Sequence, residues 1–467
     1  MARSDMQNDA PEGSSASRVA SSVDELFLAA LARGDDRFQT GRYLVTFKEG
    51  AGQSGLRYLE AMRVAHAGDF EGQAVTLDQL SDADALFLPE INMALIGGQA
   101  ASEHKLGEQA EIASDSPIAS IEPEYFVFAD GGTSGSVVES GFVELAKSTT
   151  FESLPGFTES LYQASNSYLR GFLQATETIA REIRKTGNGH SHQEIEEETE
   201  ALLATWGLKA CKVPTSRRSG AGINIAVLAN GFDSGHPDFV GRSIVSQTFV
   251  GEPVMDLNGH GTHMIGTACG PLSPADPTPR YGIGYQTSIY VAKVLTNSMM
   301  GTVASVLTGI NWAIANRCPV IFAPLAMAGG PSAVFTAAGK AALNKGCLLI
   351  AGSSSAGASV GAPANSPTIL SVAALNQNLQ PTPFSPVGKI DMAAPGVDTF
   401  SSWPRPRRYA TISGIASATA HVAGCAALWA ETSPALRGIR LWQKLQNTAR
   451  GLPFPATRVG AGLVQAP

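Results

Sequence analysis

Charge is scarce in this chain. Asp, Glu, Lys and Arg make up 16% of its 467 residues, and the balance is acidic: 33 basic against 41 acidic side chains, net −8. The basic stripe that a nucleic-acid partner requires is missing, so no such partner is expected. Cysteine is sparse as well. The five cysteines (Cys211, Cys269, Cys318, Cys347 and Cys425) are odd in number, widely spaced and without a C-x-x-C pair. This excludes a dense disulfide framework and a thiolate metal site. Cys269, Cys347 and Cys425 lie in runs of apolar or small residues and read as buried free thiols. No stretch reaches the ~18 consecutive apolar residues of a membrane span. Met1 to Ser22 is polar, rich in Ser and Ala, and lacks the apolar centre of a secretory signal. A cytoplasmic location with no membrane partner is therefore expected.

What the chain does have is length and apolar content, with 44% hydrophobic residues. That suffices for a buried core and for two domains or more. Residues 1–38 read as a mostly disordered segment with a short helix around Val23–Ala32. Residues 39–129 read as a small α+β domain. Within it Arg42–Phe47 alternates like a strand, and Ala85–Leu88, Met93–Ile96 and Ile118–Phe128 read as further strands. Gly55–Ala67 carries Leu56, Leu59, Met62 and Ala65 at helical spacing and reads as a helix.

Residues 130–204 read as a linker and helical insert. Gly131–Ser136 has the composition of a flexible linker. Leu161–Ile183 has helical spacing, Gly187-Asn188-Gly189 breaks it, and Glu194–Leu203 resumes with an acidic face. The insert reads either as a solvated linker or as a partner-docking arm. His190 and His192, in the break, read as loop residues.

The chemistry-bearing motifs lie in residues 205–467. Ile225–Phe239 reads I-A-V-L-A-N-G-F-D-S-G-H-P-D-F, Gly259–His263 reads G-H-G-T-H, and residues 413–424 read S-G-I-A-S-A-T-A-H-V-A-G. Asn311-Trp312-Ala313, Pro363 to Val372, and Ala393–Val397 complete the set. In these blocks and in their order the chain resembles the subtilisin-like serine proteases (subtilases). The resemblance implies an α/β fold: a mostly parallel sheet flanked by helices. Residues 39–129 resemble the inhibitor-type propeptide of that family, whose last strand carries a V-x-x-I-E-P-like sequence.

The resemblance also implies what is missing. Acyl transfer by a triad needs a hydroxyl that attacks, an imidazole that takes its proton, and a carboxylate that orients the imidazole. The family's base position is His260. Its carboxylate position is Ala229, its nucleophile position is Ala416, and its oxyanion-stabilising Asn position is Ser353. Losing the nucleophile removes about 10⁶ in rate and losing the oxyanion donor about 10²–10³, both figures belonging to subtilisin itself and carried over by resemblance.

The neighbouring positions have drifted too. Ile415, Ser417 and Ala420 replace the family's Thr, Met and Pro, which reads as natural loss rather than a bench knockout. The substrate-flanking segment holds Pro324, Leu325 and Ala326. Pro324 lacks an N–H and Ala326 adds a methyl where Gly is usual, so strand addition there is expected to be hindered. Ser417 should rotate about 100° away from the nucleophile direction on entering a helix. Asp233, Asp238 and Asp256 match family positions other than the triad carboxylate, and His236, His263 and His421 match structural ones.

The resulting expectation is a subtilase homologue without the usual chemistry, a pseudoprotease that binds a peptide or protein, such as an active protease or a biosynthetic enzyme. The competing expectation is a serine endopeptidase acting in a wild-type form or through an unconventional nucleophile. No metal site and no cofactor are expected. Calcium enters by family resemblance alone, since no complete ligand loop is found.

Overall fold

The computed structural model describes residues 18–34, 38–70, 80–106, 115–129, 203–327, 332–353 and 359–467. The linker and helices expected within residues 130–202 lie outside the described residues.

One sheet has seven parallel strands: β6 (Asn224–Ala229), β7 (Ile244–Thr248), β8 (Ser288–Lys293), β10 (Val320–Ala323), β12 (Leu348–Gly352), β13 (Leu370–Leu375) and β14 (Met392–Pro395). Their order is β14-β13-β12-β10-β6-β8-β7. Strands such as L-L-I-A-G and N-I-A-V-L-A are near-continuous apolar runs because helices cover both faces of the sheet. The helix Ile415–Thr432 packs against β10, β12, β13 and β14 and against the helix His260–Cys269. It is rich in Ala, and its small side chains let nearly every residue be buried. Among the described residues, no helix is long and apolar enough to cross a membrane.

The N-terminal part forms a second sheet. It contains β1 (Gln39–Phe47), β2 (Val64–His66), β3 (Ala85–Leu88), β4 (Met93–Ile96) and β5 (Ile118–Ala129), in the order β5-β1-β4-β3-β2. The helix α1 (Val23–Arg33) precedes it, one residue longer than the sequence suggests. The long helix expected over Gly55–Ala67 is not found. A helix spans Gly52–Tyr58, and Val64–His66 is a strand parallel to β3. Tertiary pairing overrides the periodicity here. Asp84 holds both the Arg63 backbone N–H at 3.0 Å and its guanidinium at 2.8 Å, which sets the next residues beside β3.

β5 joins the two parts. Its first half pairs antiparallel with β1. Its last residues lie between β9 (Met300–Thr302) and β11 (Leu325–Ala326), antiparallel to both. Two glutamates on β5 reach the N-termini of neighbouring helices. Glu124 Oε1 accepts from Ala304 N at 2.9 Å, in the first turn of the helix Val303–Ala315. Glu122 accepts from Ser332 Oγ at 3.3 Å, at the cap of the helix Ala333–Asn344. A carboxylate at a helix N-terminus satisfies unpaired N–H groups and meets the positive end of the helix dipole. Burial pushes the Glu122 carboxyl up, opposed by hydrogen bonds from Ser332, Ser120 and the backbone of Ala333 and Val334.

Candidate active site

The site positions converge at the carboxyl edge of the parallel sheet, where open α/β sheets place their ligands. Ala229 ends β6, Ser353 follows β12, and Pro324 links β10 to β11. His260 opens its helix and Ala416 is the second residue of the helix Ile415–Thr432. The β6 loop meets the His260 helix directly. Gly261 N donates to Asn230 Oδ1 at 2.7 Å, and a Cβ on Gly261 would lie 2.1 Å from the Gly231 carbonyl oxygen. Ala229, His260 and Ala416 are all buried. A methyl group stands at two of these three positions, so the cluster has an imidazole with neither a hydroxyl at 416 nor a carboxylate at 229.

The nearby acids are committed elsewhere. Asp256 accepts five hydrogen bonds, from Asn230 Nδ2, Asn258 N, Gly259 N, Thr262 N and Thr262 Oγ1, at 2.7–3.0 Å. It caps the start of the His260 helix. Asp233 forms a fork with the Arg405 guanidinium, 2.8 and 2.9 Å, which holds its carboxyl below the usual range against the opposing effect of burial. Asp238 accepts from Ala275 N at 2.7 Å, from Tyr409 at 3.1 Å and from the Tyr281 hydroxyl. Ser417 and Ser353 are fully buried.

The other histidines are built into the frame. His236 Nδ1 accepts from Asp238 N at 3.2 Å, so its Nε2–H donates to Arg408 O at 2.7 Å. His263 lies 3.0 Å from Thr399 O, and burial, reinforced by His260 and His421, lowers its pKa to about 3. His421 lies 2.8 Å from Ser417 O and burial lowers its pKa to about 4.

Both imidazoles stay neutral in the fold but charge near pH 6.5 in the unfolded chain. Their contribution to stability is complete above that pH and is lost as pH falls toward 4. Near pH 4.5 each should cost about 2.5 kcal/mol. The urea midpoint is expected to fall through this window. His421→Gln should flatten the fall by about one proton, and an unchanged slope would contradict the assignment.

Sequence reasoning missed Lys293. It is fully buried on β8, in register with Ala229, and donates to Asn230 O at 2.5 Å while pairing with Glu252 at 3.1 Å. Burial lowers its pKa. The available signal was a lone Lys within the apolar run Y-V-A-K-V-L. The glutamates on β5 were also missed. The expected hindrance at Pro324 and Ala326 does not hold for the chain's own strand: Leu325 pairs with Ala129 and Ala326 with Phe128. Pro324 sits outside that ladder, and the Ala326 methyl leaves the pairing intact. All five cysteines are buried and free. Among the described residues no cluster of His, Cys, Asp or Glu is arranged to hold a metal ion.

The fold and this edge-of-sheet site define an α/β protein of the subtilisin architecture. The profile of the Subtilase family matches residues 220–462. M-protease of Shouchella clausii is 35% identical over 281 residues, covering 59% of this chain and 72% of the relative. Subtilisin Savinase of Lederbergia lenta is 35% identical over 273 residues, covering 57% of this chain and 98% of the relative. Among solved structures, Sphericase superposes with a TM-score of 0.51 at 28% identity, covering 56% of this chain and 98% of that one. The chain belongs to the subtilase family.

Proposed function

We propose that this subtilase homologue is catalytically inert and works by binding a peptide or protein partner, in the cytoplasm, rather than by cutting peptide bonds. The observation that carries the reading is the pair of methyl groups, Ala229 at the end of β6 and Ala416 at the helix start. Neither an attacking oxygen nor an orienting carboxylate stands at these positions. The full engagement of Asp233, Asp238 and Asp256 supports it, because each of these acids has another task. The N-terminal sheet plays the part of a propeptide that stays covalently attached, since its last strand lies along β11 with no nucleophile to release it.

The test is intact-mass spectrometry of the purified chain with and without a fluorophosphonate probe. The expected result is the full-length mass and no adduct. An adduct, or spontaneous cleavage between residues 128 and 210, would overturn the reading. Ser417 and Ser353 would then be the first residues to substitute.

A further inference from the structure

We infer that residues 18–34 are a clasp that locks β5 between β9 and β11, so that the cleft is closed to extended peptides from outside. The inference concerns access to the cleft and does not depend on whether the chemistry is lost.

The register places Phe126 opposite Thr302, Val127 opposite Gly301, and Phe128 opposite both Met300 and Ala326. Alternation along a strand sends Val127 to one face and Phe126 and Phe128 to the other. Val127 is buried in the main core. Phe126 faces away from it and would be solvent-exposed on a strand that merely filled a surface cleft. Instead it is buried under α1, with Val23, Leu26, Ala30, Val250 and Met300. The Phe27 ring meets the Phe126 ring edge-on at 5.5 Å. β5 is thus covered on both faces.

The clasp has defined ends and is tied at each. Ser22 and Glu25 form a capping box at the start of α1, and Gly34 closes it at φ 65°. Before the helix, Val19 O accepts from Arg42 Nη1 at 2.9 Å. That guanidinium also binds Glu124, which accepts from Ala304 N in the first turn of the helix Val303–Ala315. In its last turn, Arg33 Nη2 donates to Gln39 O at 2.9 Å, at the beginning of β1. Fastening the clasp and seating β5 are therefore linked through one buried ion pair.

The experiment is amide hydrogen exchange on the intact chain, comparing the wild type, Phe27→Ala, Leu26→Asp, and a variant lacking residues 1–34. A fluorescent peptide of the sequence Ile118–Ala129 is added in parallel as a probe of cleft access. The expected result is exchange at Phe126–Ala129 accelerated about tenfold in Phe27→Ala and a hundredfold or more in the other two. Amides of β10 and β12 should keep their protection. The peptide should bind the clasp-free variant and not the wild type. Unchanged protection at Phe126–Ala129 in the clasp-free variant, or peptide binding to the wild type, would overturn the inference. If the deletion does not fold, Phe27→Ala decides: unchanged exchange there overturns it equally.

Discussion

Ala416→Ser alone will leave the protein nearly unreactive toward a fluorophosphonate, and Ala229→Asp/Ala416→Ser will react on the order of 10⁴ faster than that single variant. A serine at 416 places an oxygen at the head of the Ile415–Thr432 helix, which packs against the helix that His260 opens. The oxygen is a poor nucleophile until an imidazole takes its proton. The imidazole in turn needs a carboxylate to fix its tautomer and to stabilise its charged form. Ala229 is the position for it, at the tip of β6 in the loop that touches the His260 helix. Lys293, bound to the neighbouring Asn230 carbonyl, favours the ionised form of an acid placed there. Both variants retain β5 in the cleft, so occupancy cancels in the ratio. Equal labelling of the two would mean that residue 229 does not orient His260.

Glu124→Ala will destabilise the protein by about 3–5 kcal/mol, the loss that follows when one partner of a buried ion pair is removed. Both side chains are essentially inaccessible, at 5% and 0% exposure for Arg42 and Glu124. Arg42 makes two bonds to the Glu124 carboxylate, at 2.6 and 2.9 Å. Thr40 adds a third at 2.6 Å and Ala304 N a fourth at 2.9 Å. Removing the carboxylate strands a buried guanidinium and leaves the Ala304 N–H in the first turn of the Val303–Ala315 helix without its acceptor, while the Thr302–Ser305 cap of that helix remains. Arg42→Leu/Glu124→Leu should recover most of the loss, because two apolar groups leave no buried charge unpaired. Chemical denaturation of the two variants checks both statements. Equal loss in the single and double variants would show that packing, not charge pairing, carries the effect.

The sequence by itself determined the family-bearing half of this protein. The motifs around Ala229, His260 and Ala416 are dense and ordered, and the absence of a hydroxyl or a carboxylate is read directly from residue identity. The near-continuous apolar runs at β6, β10, β12 and β13 follow from burial on both faces, which leaves a strand little freedom in composition. The strands at Ala85–Leu88 and Met93–Ile96 were legible for the same reason.

What only the tertiary structure decided depends on partners far along the chain. Val64–His66 became a strand because β3 lay beside it, although its apolar spacing suited a helix equally well. Glu122 and Glu124 look like ordinary polar residues on a strand until two distant helix ends are brought to them. Lys293 is an oddity in an apolar run until the β6 carbonyl and Glu252 surround it. The seating of Phe126–Ala129 between β9 and β11 is likewise a non-local pairing. Local sequence records which side chains need burial or a charge partner, but which residues satisfy that need is decided when the chain closes on itself.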